Sequence, residues 1–312
     1  MTKIDIYSGF LGAGKTTLIK KMISEAYKGQ KLVLIENEFG QIGIDGGFLQ
    51  DAGINITEMN SGCICCSLVG DFGKALEQVI QEYNPDRVLI EPSGVGKLSD
   101  VIGAVNKVTN ENVTLGYTVA VVDAGKVKVY MKNFGEFYNN QVETASTIIL
   151  SRTDSISQVK LDTAVAMLRE HNAEATIVTT PWNDLSGAQI LAAMDGQATL
   201  AAELAKLQQE HEHHHHHHHA DEVFNSWGVE TPHKYEASEI EAILKRLVET
   251  EEFGVILRAK GMVPAKDGSW IYFDAVPGEY ELREGTPEYT GKLCVIGTNV
   301  DEHKMEELFG LR

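Results

Sequence analysis

Basic residues, cysteines and long apolar runs are all scarce in this chain, and each shortage narrows what it can be. It has 27 Lys and Arg against 45 Asp and Glu, a formal net charge of −18. That balance argues against nucleic acid as the main partner, because a phosphate backbone is held by a basic footprint. It suits a soluble protein that handles cations. No stretch of about 18 consecutive apolar residues occurs, so neither a membrane-spanning helix nor a membrane partner is expected. The chain enters a β-prone run at once, without a signal-peptide pattern, which makes the cytoplasm the expected location. Four cysteines occur in 312 residues, three of them crowded into Cys63, Cys65 and Cys66. Such a cluster does not read as a disulfide framework; it more often binds metal or does redox chemistry. The length suits two domains and a sizeable core.

What is there is organised around Lys3 to Thr17. A β-prone run leads into Gly9-Phe-Leu-Gly12-Ala13-Gly14-Lys15-Thr16-Thr17, and a helical pattern runs from Leu18 to Tyr27. This is Gly-x-x-x-x-Gly-Lys-[Ser/Thr] between a strand and a helix, the context that makes a phosphate-binding loop rather than a plain helix-starting turn. The glycines let backbone N–H groups converge on phosphate oxygens, and the helix N-terminus adds donors and the positive end of its dipole. Lys15 is expected to reach the β- and γ-phosphates and the Thr16 hydroxyl to ligate Mg2+.

Lys31 to Ile35 reads as the second strand. The acidic, glycine-rich stretch after it, Glu36 to Gly47, sits where nucleotide hydrolases carry a switch loop ordered by γ-phosphate and Mg2+. An ordinary surface loop would look similar. Glu38 and Asp45 are its candidate contacts to metal or water. A short strand, Asn55 to Met59, leads to Gly62-Cys63-Ile64-Cys65-Cys66. Vicinal cysteines form only a strained disulfide, whereas thiolates favour Zn2+ or Cu+. Three sulfurs leave a fourth position for Glu38, a His or water; a tight turn of small residues and a redox pair are the other readings.

Asp71 to Tyr83 has helical spacing. Arg87 to Glu91 is an apolar strand ending on an acid, followed by Pro92-Ser93-Gly94. Glu91 stands where the Mg2+-side acid of a nucleotide hydrolase belongs, and Gly94 lets a backbone N–H approach the γ-phosphate. Lys15, Thr16 and Glu91 are therefore the catalytic candidates. Further strands are expected at Tyr117 to Asp123, Thr147 to Leu150 and Thr176 to Thr179, with helical spacing between them, as from Leu161 to Glu170. Strands alternating with amphipathic helices imply an α/β domain with a mainly parallel sheet, binding ligands at the strands' carboxyl ends.

From Ala192 to Gln209 an exposed helix is expected. His211 follows, and His213, His214, His215, His216, His217, His218 and His219 are unbroken. A tract like this is often a purification tag. Here it is internal, and imidazoles at this density bind Zn2+, Ni2+, Co2+ or Cu2+ weakly. Near Pro232 a second unit begins. Ser238 to Glu241 reads as a capping box opening a helix to Glu251. Strands are expected at Gly254 to Met262, Ser269 to Val276 and Lys292 to Thr298, then a helix from Asp301 to Phe309, a smaller α+β domain. Cys294 lies alone in a strand and reads as core. The boundaries read from sequence are 1–190 for the P-loop domain, 191–231 for a helical and His-rich linker, and 232–312 for the C-terminal domain.

With these motifs in hand the chain resembles the CobW-like family of P-loop GTPases, metallochaperone relatives of the nickel-insertion GTPases. The likeness rests on Gly9 to Thr17, Asn37 to Gly40 with Asp45, Gly62 to Cys66, Glu91 to Gly94, the His-rich stretch, and Leu257 to Gly261 with Trp270 and Phe273-Asp274. It implies GTP hydrolysis to GDP coupled to delivery of a metal to a client metalloprotein, with Mg2+ as cofactor and Zn2+ (or Co2+/Ni2+) as the metal. The Cys motif is then the tight metal site, and Glu38 matches a family acid that helps bind it. Ser151-Arg152-Thr153-Asp154 departs from the family's Asn-Lys-x-Asp. Asp154 still accepts from guanine and the Arg152 stem still covers the base, so guanine preference is expected but softened. Gln41 stands where an acid is common. No residue is an obvious catalytic base, so lining up the attacking water calls for metal, dimerisation as a homodimer, or a client. A metal buffer with little turnover is the alternative, and an ATP-dependent small-molecule kinase the third reading.

Overall fold

The computed structural model describes residues 1–36, 55–56, 69–196 and 225–312. The expectations for Glu38, Asp45, Cys63, Cys65, Cys66, His211 and His213 to His219 lie outside the described residues. The chain divides into two compact units. The first comprises Met1–Ile156, Thr163–Pro181 and Ser186–Met194; the second comprises Ser157–Asp162, Trp182–Leu185 and Asp195–Arg312.

The first unit is built on a seven-stranded sheet in the order β3-β2-β4-β1-β5-β6-β7. The strands are β1 (Thr2–Gly9), β2 (Leu32–Glu36), β3 (Asn55–Ile56), β4 (Arg87–Glu91), β5 (Val113–Asp123), β6 (Thr147–Ser151) and β7 (Thr176–Val178). Every pairing is parallel. Their apolar runs are buried on both faces: Ile4 and Ile6, Val33 to Ile35, Val88 to Ile90, Val119 to Val122 and Ile148 to Leu150 are all core residues. That is why these strands read as continuous hydrophobic stretches rather than alternating ones. The crossover helices bury one stripe each, as Leu18, Ile19, Met22 and Ile23 do in Lys15–Glu25. β1 lies between β4 and β5, where the chain's crossovers change direction, so its carboxyl end opens the crevice where ligands bind in such sheets.

β1 also carries a charge inside the sheet. Asp5 has no exposed surface. Its carboxylate lies 2.5 Å from Arg87 Nη1 and accepts from the Tyr117 backbone N–H at 3.0 Å and from Tyr27 Oη at 3.1 Å. The β1–β5 register slips between Ile4 and Ile6 to make room. Burial pushes the Asp5 carboxyl above its usual range, against the pull of Arg87 and these donors.

The second unit holds a five-stranded antiparallel sheet, β11-β10-β9-β12-β8. Its strands are β8 (Asn225–Thr231), β9 (Val255–Pro264), β10 (Trp270–Val276), β11 (Glu279–Glu284) and β12 (Gly291–Thr298), with helices Ala237–Glu249 and Glu302–Leu308. Ile240, Leu244 and Leu247 of the longer helix share a core with Phe273, Leu293 and Val295, and Cys294 is buried in β12. The sequence reading missed β8 and β11, the two edge strands, which alternate but offer only two apolar residues each to the core, Trp227 and Val229, and Tyr280 and Leu282. The capping box also falls earlier than Ser238. Glu236 is the cap, and its backbone N–H donates to Glu239 Oε2 at 2.7 Å, the reach-back half of a capping box. Among the described residues no helix is long and apolar enough to cross a membrane.

Candidate functional site

The candidate phosphate-binding loop follows β1 and ends at helix Lys15–Glu25. Gly9 has φ +148°, and a Cβ there would lie 2.3 Å from the Val121 carbonyl oxygen, so only glycine fits against β5. Gly14 caps the helix in the left-handed region at φ +103°. Between them the Ala13 N–H donates to the Phe10 carbonyl at 3.2 Å, closing the loop. Lys15 is mostly buried, with Nζ 3.5 Å from the Phe10 carbonyl oxygen. Phe10 is held from outside the loop by Tyr130 and Phe134, with ring centroids at 4.6 and 5.0 Å. Thr17 and Gly12 face solvent.

Beneath the loop the Thr16 hydroxyl lies 3.0 and 3.1 Å from the two oxygens of Glu91. The sequence reading singled out both residues, and the fold brings them together. A hydroxyl and a carboxylate at the mouth of a phosphate loop are hard oxygen donors, the set that suits Mg2+. Glu36, at the end of β2, is in register with Glu91 on β4. Sequence reading did not single out Glu36, although it too is an acid ending an apolar run. Gly94 sits on the other lip. A Cβ there would come within 2.8 Å of the Leu11 backbone nitrogen and side chain, so the chain after Glu91 touches the phosphate loop directly.

The candidate base side lies after β5 and β6. Arg152 has φ +56°, rare for a residue other than glycine. Its Nη1 pairs with the Asp123 carboxylate, and its Nη2 donates to the Gly12 carbonyl at 2.9 Å. The guanidinium thus ties the base-side turn to the phosphate loop. Asp123 was not singled out from sequence; its place at the carboxyl end of a strand was the available signal. Asp154 is exposed in the single turn Thr153–Ser155, where Ser155 Oγ donates to Asp154 Oδ1 at 3.2 Å. Ser151 is buried and turned inward, its Oγ 3.4 Å from the Val122 carbonyl oxygen. Among the described residues no group of three or more His, Cys, Asp or Glu is placed to hold a metal ion.

Residues 3–179 match the family model described as CobW/HypB/UreG, nucleotide-binding domain. Residues 224–310 match the Cobalamin synthesis protein cobW C-terminal domain. Zinc chaperone YeiR of Escherichia coli is 30% identical over 155 residues, covering 49% of this chain and 47% of the relative. Zinc chaperone CobW of a Sinorhizobium species is 33% identical over 180 residues, 48% of this chain and 51% of the relative. Zinc chaperone CobW of Pseudomonas aeruginosa is 28% identical over 309 residues, 88% of this chain and 77% of the relative. The chain thus spans about half the length of the first two relatives and more of the third.

Proposed function

This chain belongs to the CobW/HypB/UreG family of nucleotide-binding proteins, and from that premise we propose that it is a GTPase that hands a transition metal ion, zinc first, to a client metalloprotein. The observation that carries the hydrolytic half is the Thr16–Glu91 pair under a closed phosphate loop. Loop N–H groups and the Lys15 ammonium hold the phosphates; Thr16 and Glu91 hold Mg2+, which when bound neutralises charge building on the phosphate oxygens. Asp154 accepts from guanine N–H groups, Arg152 braces its turn, and the Gly94 N–H meets the γ-phosphate. Residues 1–190 carry this chemistry, with 191–231 as His-rich linker and 232–312 as a smaller domain.

The metal half rests on the thiols of Cys63, Cys65 and Cys66 with Glu38 as tight site and the His tract as weak sites, and on relatives that are themselves named zinc chaperones. Switch closure around GTP presents Glu38 to the thiolates. Hydrolysis withdraws it and leaves the cargo three-coordinate, open to a client thiolate or imidazole. By linkage the metal then tightens GTP binding by the same factor, and a factor of about ten corresponds to ~1.4 kcal/mol. The metal-buffer reading keeps one observation of its own, seven consecutive histidines.

The test is phosphate release with GTP and with ATP, with and without Zn2+, together with zinc titrations of the GDP-bound and GTP-analogue-bound protein. The proposal expects GTP-selective turnover and unequal zinc affinities. Equal zinc affinities would leave the buffer reading ahead.

A further inference from the structure

Gln141 is 1% exposed on the helix Val127–Thr144. Its Nε2 donates to two carbonyls of the segment after Glu91, Gly94 at 3.1 Å and Gly96 at 2.8 Å. Among the described residues its buried Oε1 has no hydrogen-bond partner. An amide that is buried with its acceptor unpaired is costly to place and calls for a reason beyond packing. Its two donor hydrogens are fully used on one loop, which supplies that reason.

The end of the loop and the first turn of the helix Leu98–Asn106 that follows it are pinned from the same side. Asn140 accepts from the Ser99 N–H at 3.2 Å and donates to Ser99 Oγ at 3.0 Å. Glu136 pairs with Lys97 at 2.9 Å. Within the loop, the Gly96 N–H donates to the Ser93 carbonyl at 3.0 Å, closing a turn. Both peptide planes flanking Gly94 are therefore fixed: Ser93–Gly94 by that turn, Gly94–Val95 by Gln141. A glycine that touches Leu11 of the phosphate loop has the backbone freedom to turn its N–H elsewhere. Gln141 removes that freedom on the carbonyl side directly, and on the N–H side through Gly96, the residue whose N–H closes the turn.

We propose that Gln141 is a positioning residue for the γ-phosphate: by holding the Gly94 and Gly96 carbonyls it aims the Gly94 N–H at the position that distinguishes a nucleoside triphosphate from a diphosphate. This rests on the GTPase reading above and adds to it the element that senses the third phosphate. A donor oriented before the substrate arrives needs no reorganisation during reaction, which is where such groups contribute most to rate. The segment that carries Gln141 is kinked at Phe134; Phe134 and Tyr130, on the turns before Gln141, hold Phe10, so the same segment backs the phosphate loop and the Gly94 loop.

The experiment compares wild type with Gln141→Met, of similar length but without donors, and Gln141→Asn, which keeps the donors one methylene short. The readouts are affinity for GDP and for a non-hydrolysable GTP analogue, single-turnover GTP hydrolysis, and thermal melting. Gln141→Met is expected to hold GDP within about twofold of wild type, to bind the GTP analogue about tenfold more weakly and to hydrolyse GTP more slowly by about tenfold or more. Gln141→Asn should lie between. Equal losses for GDP and the analogue would show a merely structural residue and overturn the proposal, as would unchanged analogue affinity in both variants. If Gln141→Met does not fold, Gln141→Asn decides by the same split. A wild-type protein that neither hydrolyses GTP nor separates it from GDP would instead overturn the GTPase reading and this proposal with it.

Discussion

The Thr16 hydroxyl and the Glu91 carboxylate, 75 positions apart in the chain, meet at 3.0 Å beneath the phosphate loop. Glu91→Gln preserves the side chain's size and one accepting oxygen but removes its charge. Phosphate release is expected to fall by about a hundredfold or more, because charge neutralisation at the phosphates is the main catalytic term for this chemistry. Affinity for GDP without Mg2+ should change little. Turnover at the wild-type rate in Glu91→Gln would remove Glu91 from the machinery.

On the base side, two substitutions should separate recognition from bracing. Asp154→Ala is expected to erase preference for GTP over ATP, since guanine donors lose their acceptor. Asp123→Asn leaves Asp154 in place but weakens the hold of Arg152 on Gly12. It should weaken GTP and GDP alike, by about three- to tenfold, with the GTP:ATP ratio unchanged. Competition binding with the three nucleotides checks both, and a change of base preference in Asp123→Asn would contradict the division of roles.

The buried pair in the sheet gives a pH signature. Arg87→Met leaves Asp5 inside the protein without its cation, and a loss of ~3–5 kcal/mol is expected. Burial already raises the Asp5 carboxyl above its unfolded value, and the substitution raises it further. A carboxyl raised in the folded state contributes its stability below the unfolded pKa and loses it as pH rises through the folded one. Urea melts of Arg87→Met should therefore show stability falling from acid toward neutral pH, relative to wild type. A flat difference between the two proteins across that range would mean Asp5 does not carry the buried charge.

Much of the candidate site was legible in the sequence because its groups are backbone-determined and local. A strand, a glycine turn and a helix start occur within Lys3 to Thr17, and Gly14 is a glycine for its left-handed φ within that turn; Gly9 answers also to the Val121 carbonyl of β5, a contact only the fold supplies. The end of an apolar run marked Glu91 equally well. Glu36 carried the same mark and was passed over. Asp123 and Gln141 were not legible, since their roles depend on which loops the parallel sheet sets side by side. A glutamine within a helical pattern has no sequence feature that separates a solvent contact from a clamp on two carbonyls. The edge strands β8 and β11 escaped for a different reason: one side of an edge strand pairs with nothing, so its composition is free to be polar.

By itself the sequence determined the class of chemistry. The loop motif, the acid ending β4 and the net charge of −18 restrict the chain to an acidic nucleotide-binding α/β protein, because covalent spacing alone puts Lys15 and Thr16 at the start of a helix whose N–H groups point at the ligand. Tertiary structure decided how the parts are held. Only the order β4-β1-β5 brings Glu91 to Thr16. The contacts of Arg152 and of the helix Val127–Thr144 then place the base-side turn and the Gly94 loop on opposite lips of the phosphate site. Parallel strands need long crossovers, so residues that share their carboxyl ends are distant in the chain, and no local pattern can encode which of them meet.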